Sequence, residues 1–482
     1  MLEKVLRDYE GFREEILRES YLLGAGLKEK AEYDSIFQRY AELFTLETVG
    51  KVIKEKNNLP EDAPSEEFEA FDRVIFALLE NFLFLKTVKD IQKLQELEIS
   101  KTLDFNGKRI PFRMLANIIE REESRDMRRS LSERAIPIIE ELSKYKVEIA
   151  RKRLNIIRKE FGYPSILSYE SDRLNEDIKG YANSLSGFLK ETEREYRDLA
   201  GWVFKEFLGL DWGEVQTYDI NFLLSGYHFR DFKTDDYKYI LDETLKGMGL
   251  NLQEIKNLKI DDENRPTKSP RAFCAPIRIP DEVIVVIKPS GYFKDISTLF
   301  HEMGHALHFA HTDKGLPAIY RLIGRSGTSE VFAFNLQYIT DSKPWIERFF
   351  GKNERLESFV NYRKFAYLYL RRRYAAKVVY ETRLFSGDNW EDIGPKLYSQ
   401  ILTDATGVFH PPYNYFWDLD FGFYSVDYSQ AWEVEYALRE YLKGEFGDDW
   451  YFNGESGEFL KGLWGLGLRY SPLQLAKKLR LW

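Results

Sequence analysis

Apolar residues recur along most of this chain at intervals of three and four, the spacing of an amphipathic helix. Residues 1–56 read as charged amphipathic helices. Asn57 to Pro64 (NNLPEDAP) is a turn-rich break, and Ser65 is a candidate N-cap for a helix over 66–99. Leu103 to Pro111 reads as a short hairpin around Asn106-Gly107. A long helical region is predicted from about Arg113 to Phe161, closed by Gly162 and Pro164, with Pro137 kinking or dividing it. Helices are also predicted from Tyr181 to Leu208 and over 234–257, with the aromatic-rich stretch Tyr218 to Arg230 between them. Asp261 to Pro270 is a polar loop. The pattern then changes: Phe273 to Ile279 and Val283 to Ile287 are β-rich and read as two short strands joined at Pro280-Asp281-Glu282. From Asp295 helical spacing returns, with loops at Leu322 to Thr328 and Val408 to Tyr424. The alternation of strands and helices that a parallel α/β fold needs is absent, so the fold is predicted to be mainly α with one small antiparallel β-sheet.

Composition narrows the function classes. A chain of 482 residues can bury a large core and fill two or three lobes. A net charge of −9 gives no basic surface for nucleic acid and mildly favours basic peptides. The single cysteine, Cys274, excludes an internal disulfide framework and a thiolate-rich zinc site, and fits a reducing cytoplasm. The most apolar run, Val74 to Leu85, is broken by Glu80 and Asn81 and is too short to span a bilayer. The N-terminus, MLEKVLRDYEGFREE, lacks the apolar core of a signal peptide. A cytoplasmic protein with neither membrane nor nucleic-acid partners is expected.

The chemistry concentrates in Asp295 to Thr312, DISTLFHEMGHALHFAHT, where Ile296, Leu299, Phe300, Met303, Ala306, Leu307 and Ala310 mark one helix face. Asp295 suits an N-cap or the positive end of the helix dipole. His301, Glu302 and His305 form H-E-x-x-H. Histidines four apart share a helix face and can grip one metal ion, with the intervening glutamate placed as a base. Four of the six histidines fall between His301 and His311. Zinc in a hydrolytic site takes three protein ligands. Glu330, 29 residues after His301 in RSGTSEVFAF, is predicted to lie in the first turn of the next helix. A glutamate there also suits the helix dipole, but beside the metal helix it is expected to be the third ligand. His308 is expected to support the site or face substrate, and His311 to lie on the surface.

DISTLFHEMGHALH followed by SGTSEVFAF resembles the thimet oligopeptidase and oligoendopeptidase F family of zinc metallopeptidases. Asn155 to Tyr163 (NIIRKEFGY), Thr217 to Phe222 (TYDINF), Lys268 to Cys274 (KSPRAFC) and Phe423 to Ala431 (FYSVDYSQA) agree in order. The resemblance runs from about residue 103 to 440 and implies two helical lobes enclosing a deep channel. It divides the chain into an N-terminal helical region, 1–120, and a catalytic region, 121–482. It implies Zn2+ on His301, His305 and Glu330, Glu302 as general base, and a sheet that pairs with substrate backbone. Tyr424 and Tyr428 would supply a phenol to the oxyanion. The family's substrate-binding histidine before these tyrosines is missing. Asp418 and Asp420 stand in that region, where they are expected to attract a basic substrate side chain, and His410 lies upstream. A second family tyrosine falls on Val426 or Gln430, depending on register.

The expected activity is zinc-dependent hydrolysis of peptide bonds in short unstructured peptides. Two alternatives remain. A zinc carboxypeptidase on a related helical scaffold needs a cation for the substrate C-terminus, for which Arg271, Arg325 and Arg371 to Arg373 are candidates. A non-catalytic peptide-binding protein could retain the fold, although it has no need of Glu302.

Overall fold

Periodic apolar spacing becomes helix through most of the chain. The structure, a computed structural model, describes residues 1–232, 236–289, 291–352 and 354–482. Helices Leu2–Gly24, Tyr33–Arg39 and Leu46–Asn57 fill the N-terminal stretch, and Ser65–Ser100 begins at the expected serine. Strands β1 (Thr102–Phe105) and β2 (Lys108–Pro111) form the expected hairpin. Asn106 and Gly107 take φ of 51° and 75°, the left-handed pair that lets a two-residue turn follow the strand twist.

The long region after the hairpin differs from expectation. A short turn and the helix Leu115–Ile119 precede a single helix, Arg125–Phe161, which runs through Pro137 without dividing. Proline removes one backbone bond there, while buried Leu131, Ala135 and Leu142 on either side hold the turns together. Gly162, at φ 80°, ends the helix as expected. The helix expected from Tyr181 to Leu208 is two, Ile178–Glu191 and Glu193–Leu208. Of the helix expected over 234–257, residues 234 and 235 lie outside the described residues, and the helical part is Tyr237–Gly247.

The second sheet has the order β3-β5-β4, with β3 at Leu258–Asp261, β4 at Phe273–Arg278 and β5 at Glu282–Val286. β4 and β5 pair antiparallel as expected, but β3 joins parallel to β5, so the sheet is mixed. The helix Phe293–Ala310 follows this sheet. Its Ile296, Leu299, Phe300, Met303, Ala306 and Leu307 are at most 1% exposed. Burial of each large apolar side chain contributes about 1.5–3 kcal/mol, so the helix is held by its own face.

Backbone contacts group the chain into two compact units, each discontinuous in sequence. One comprises 1–82, 232–353 and 430–482; it contains the mixed sheet, Phe293–Ala310 and Ser326–Gln337. The other comprises 83–231 and 354–429; it contains the hairpin, Arg125–Phe161, Leu356–Leu384 and Trp390–Thr406. Neither has a border near residue 120. No helix among the described residues is long and apolar enough to cross a membrane.

Candidate metal centre

His301 and His305 lie one turn apart on Phe293–Ala310, with ring centroids 4.9 Å apart. Each ring is fixed through Nδ1: that of His301 donates to Gln337 Oε1 at 2.9 Å, and that of His305 shares a hydrogen bond of 2.7 Å with Ser329 Oγ. A protonated Nδ1 in a neutral ring leaves Nε2 with a free lone pair, the arrangement that metal-binding histidines need. Neutrality is enforced by burial, which lowers both pKa values to about 4, with His305 further disfavouring charge on His301.

The third donor arrives on the helix Ser326–Gln337. The two helices approach closely because residue 304 is glycine: a Cβ there would meet the Phe332 carbonyl oxygen at 2.4 Å and Ala333 Cα at 2.5 Å. Glu330 is the fifth residue of its helix, so it sits in the second turn and not the first. It is 4% exposed, and its Oε2 lies 3.5 Å from His301 Nε2 and 3.7 Å from His305 Nε2. All three ligand atoms lie within 4.8 Å of one another. Zinc bonds of 2.0–2.2 Å at tetrahedral angles set neighbouring donors about 3.3–3.6 Å apart, so this donor set fits zinc.

Glu302 follows the first histidine on the same helix. Burial, then the charge of Glu330, raises its pKa to about 7. The backbone N–H of Cys274 on β4 and the charge of Arg271 act in the opposite direction. Burial, with Glu302 nearby, pushes the Cys274 thiol up, so it stays protonated. Asp295 is not the N-cap but a first-turn carboxylate: its Oδ2 accepts from the backbone N–H of Gly291 at 2.7 Å and of Tyr292 at 3.2 Å.

The remaining candidates fall elsewhere. His308 is fully buried against Phe309 and Phe332 and donates from Nε2 to the Gly467 carbonyl at 3.1 Å, so it does not face substrate. His311 closes the helix, half-buried against Trp464, instead of standing on the surface. Tyr424 and Tyr428 belong to the other compact unit. They begin the helix Tyr424–Phe446, their rings meet edge to face at 4.7 Å, and Tyr428 stacks on Tyr374 at 5.1 Å. Val426 is core, and Gln430 accepts from Arg325 Nη2 at 3.0 Å.

The acidic pair is engaged within its own unit. Asp418 accepts from Arg373 Nη2 at 2.6 and 2.7 Å and from the Tyr398 hydroxyl at 2.8 Å; Asp420 accepts from Lys377 Nζ at 2.9 Å. They are anchors, and not free charges for a basic substrate. His410 is buried beside Tyr398, and burial lowers its pKa to about 3, so it does not replace the missing histidine. Of the arginines considered for a substrate carboxylate, Arg372 is buried and donates to the Leu189 and Ala405 carbonyls, and Arg371 lies over the Phe188 ring. Only Arg271 of that set is exposed and makes no side-chain hydrogen bond or ion pair with the described residues.

Sequence reasoning did not single out Gly304, Ser329 or Gln337 as parts of the site. Gln337 lies seven residues, two turns, after Glu330 and therefore on the same face, a signal that was present in the spacing.

No protein-family model and no curated protein matches the chain. Solved structures do. PZ peptidase A with inhibitor 2 aligns at TM-score 0.67 and 15% identity, over 98% of this chain and 86% of that one. A candidate oligoendopeptidase F from Bacillus anthracis str. Ames aligns at TM-score 0.61 and 18% identity, over 98% of this chain and 85% of that one. A candidate peptidase from Chlamydophila abortus aligns at TM-score 0.65 and 14% identity, over 99% and 85%. The chain has the oligoendopeptidase F fold. The match takes in nearly every residue of the chain, so the first hundred residues, which resemble the family poorly in sequence, share its fold. Within that fold His301, His305 and Glu330 are brought together by one close pair of helices.

Proposed function

We propose that this protein is a zinc-dependent peptidase that cuts short unstructured peptides in the cytoplasm. One observation carries the reading: two neutral imidazoles and a buried carboxylate converge at zinc-ligand spacing, with Glu302 beside them. The shared oligoendopeptidase F fold supports it.

His301 Nε2, His305 Nε2 and Glu330 Oε2 would hold the ion. Bound zinc supplies Lewis-acid polarisation of a carbonyl and a lowered pKa for water. Glu302 takes a proton from the attacking water on its carboxylate and delivers it to the leaving amide nitrogen. Gln337 and Ser329 hold the two imidazoles in one tautomer.

The test is cleavage of an internally quenched peptide. Activity should vanish with a chelator and return with added zinc, and Glu302→Gln should be inactive. Cleavage that persists at full rate in chelator overturns the reading. The carboxypeptidase alternative rests on the exposed Arg271. It predicts that amidating the peptide C-terminus abolishes cleavage, whereas the oligopeptidase reading predicts that cleavage continues. Binding without turnover would leave the non-catalytic alternative.

A further inference from the structure

The unit that carries the metal ligands also contains a cavity of about 300 Å³. Its walls come from the start of the helix Ser65–Ser100, from Tyr320, and from the chain that runs from Arg469 into the helix Pro472–Leu479. Charge in this cavity is unbalanced. Arg73, Arg469, Lys477 and Lys478 line it, against two carboxylates, Glu66 and Glu69. Glu66 is taken by Arg469 Nη2, and Glu69 accepts from Gln474 Nε2 at 3.2 Å. Arg73, Lys477 and Lys478 form no ion pair among the described residues. Two positive charges are left over.

The two arginines are held in place before any ligand arrives. Arg73 donates from Nη1 to the Leu468 carbonyl at 3.0 Å and from Nη2 to the Arg469 carbonyl at 2.8 Å. These bonds fix its plane and leave other N–H groups of the five-donor fork over. Burial, with Arg325 adding repulsion, works against its charge, so an anion beside it is favoured. The Arg469 guanidinium lies over the Tyr320 and Tyr470 rings, 5.4 and 5.5 Å from their centroids. Its Nε is buried without a hydrogen-bond partner, and a donor left in that state is costly. A phosphate group carries about −1.5 to −2 at neutral pH, which matches the surplus, and its oxygens suit guanidinium forks. The cavity is at the small end of the usual range for ligand pockets, so it takes a small molecule.

We propose that this cavity binds a phosphate dianion, free or as the monoester of a small molecule, between Arg73, Arg469 and the Lys477-Lys478 pair. The site does not depend on the peptidase reading. The segment from Gly467 to Tyr470 that it braces is bonded to both helices of the metal centre: His308 Nε2 donates to the Gly467 carbonyl at 3.1 Å, and Thr328 Oγ1 to the Tyr470 carbonyl at 2.7 Å. Bound phosphate, by bridging Arg73 and Arg469, stiffens the chain on which those helices rest.

The test is calorimetric titration of the full chain with inorganic phosphate and, separately, with glycerol 3-phosphate, at ionic strength held constant with chloride. One phosphate should bind per chain with a dissociation constant below about 1 mM. The tighter of the two probes identifies the source, free phosphate or monoester. Lys477→Gln/Lys478→Gln, which changes two exposed side chains, should weaken binding at least tenfold, and Arg469→Gln should abolish it. If Arg469→Gln does not fold, the lysine pair decides. Hydrogen exchange over 467–479 should slow when phosphate is bound. The His301→Ala variant should bind phosphate as the wild type does. Loss of binding in that variant would place the anion at the metal centre and overturn the proposal. So would wild-type affinity in the lysine double variant, unchanged exchange over 467–479 at saturation, or no binding of either probe at about 10 mM. None of these outcomes bears on peptide cleavage, so the two readings fail separately.

Discussion

Gly304 lies so close to the Phe332 carbonyl that a Cβ at 304 would stand 2.4 Å from its oxygen. Both partners are helix backbone, which cannot swing aside as a side chain can. This contact sets the distance at which Glu330 meets the two histidines. Gly304→Ala should force the helices apart and destabilise the protein by about 1–3 kcal/mol, the usual cost of overpacking. It should also weaken zinc binding, although residue 304 carries no ligand atom. Urea unfolding and a zinc competition titration read the two effects. Wild-type affinity in the alanine variant would show that the helix spacing does not set the site.

His301→Ala should abolish stoichiometric zinc and leave helical content intact. The helix buries Ile296, Leu299, Phe300, Met303 and Leu307 on its other face and does not depend on the metal for its fold. Metal analysis and circular dichroism on the purified variant check this. Full zinc occupancy would remove His301 from the ligand set.

Glu302→Gln should bind zinc as the wild type does and lose most of its turnover. The amide has the size of the carboxylate but cannot accept a proton from water at neutral pH. A loss on the order of a hundredfold or more in kcat is expected for a general base. Near-normal turnover on a short peptide excludes the role.

Ser329→Ala and Gln337→Leu each remove the partner of a histidine Nδ1. Each should weaken zinc about 10–100-fold, the usual cost of losing an outer-shell partner. The measurement is zinc affinity against a chromophoric chelator. Unchanged affinity in both variants would mean that packing alone orients the rings.

Much of this was legible in the chain. His301, Glu302 and His305 announce themselves through spacing, and a long amphipathic period such as that around Leu299 and Met303 identifies a helix whatever packs on it. Strand β3 was not legible, because Leu258–Asp261 offers four residues beside a polar loop and its pairing with β5 is made across sequence. Whether Pro137 would divide its helix was not legible for a related reason: the rule concerns one lost backbone bond, and the buried residues around it decide whether the helix survives. Asp418 and Asp420 were misjudged as substrate-facing because their partners, Arg373 and Lys377, lie more than 40 residues away. Ion pairs of that separation leave no periodic trace.

Asp418 gives the protein a pH signature of its own. Burial would raise its carboxyl, but Arg373, then Lys377 and the Tyr398 hydroxyl, hold it well below the usual carboxylate range. In the unfolded chain an aspartate titrates near 3.9. Between the folded and unfolded values the unfolded state binds the extra proton, so stability rises with pH there. The contribution is complete above about pH 5 and is lost as pH falls below the unfolded value towards the folded one. Asp418→Asn has no proton to bind at this position. Its stability should be lower than that of the wild type at neutral pH, by an amount that is constant above about pH 5. Below about pH 4 the two should converge, with the wild type steeper by up to one proton, about 1.4 kcal/mol per pH unit. Urea midpoints measured from pH 7 down to pH 3 give both slopes. Parallel curves throughout would mean that Asp418 ionises alike in both states and that the pair with Arg373 contributes nothing to holding the loop before Tyr424.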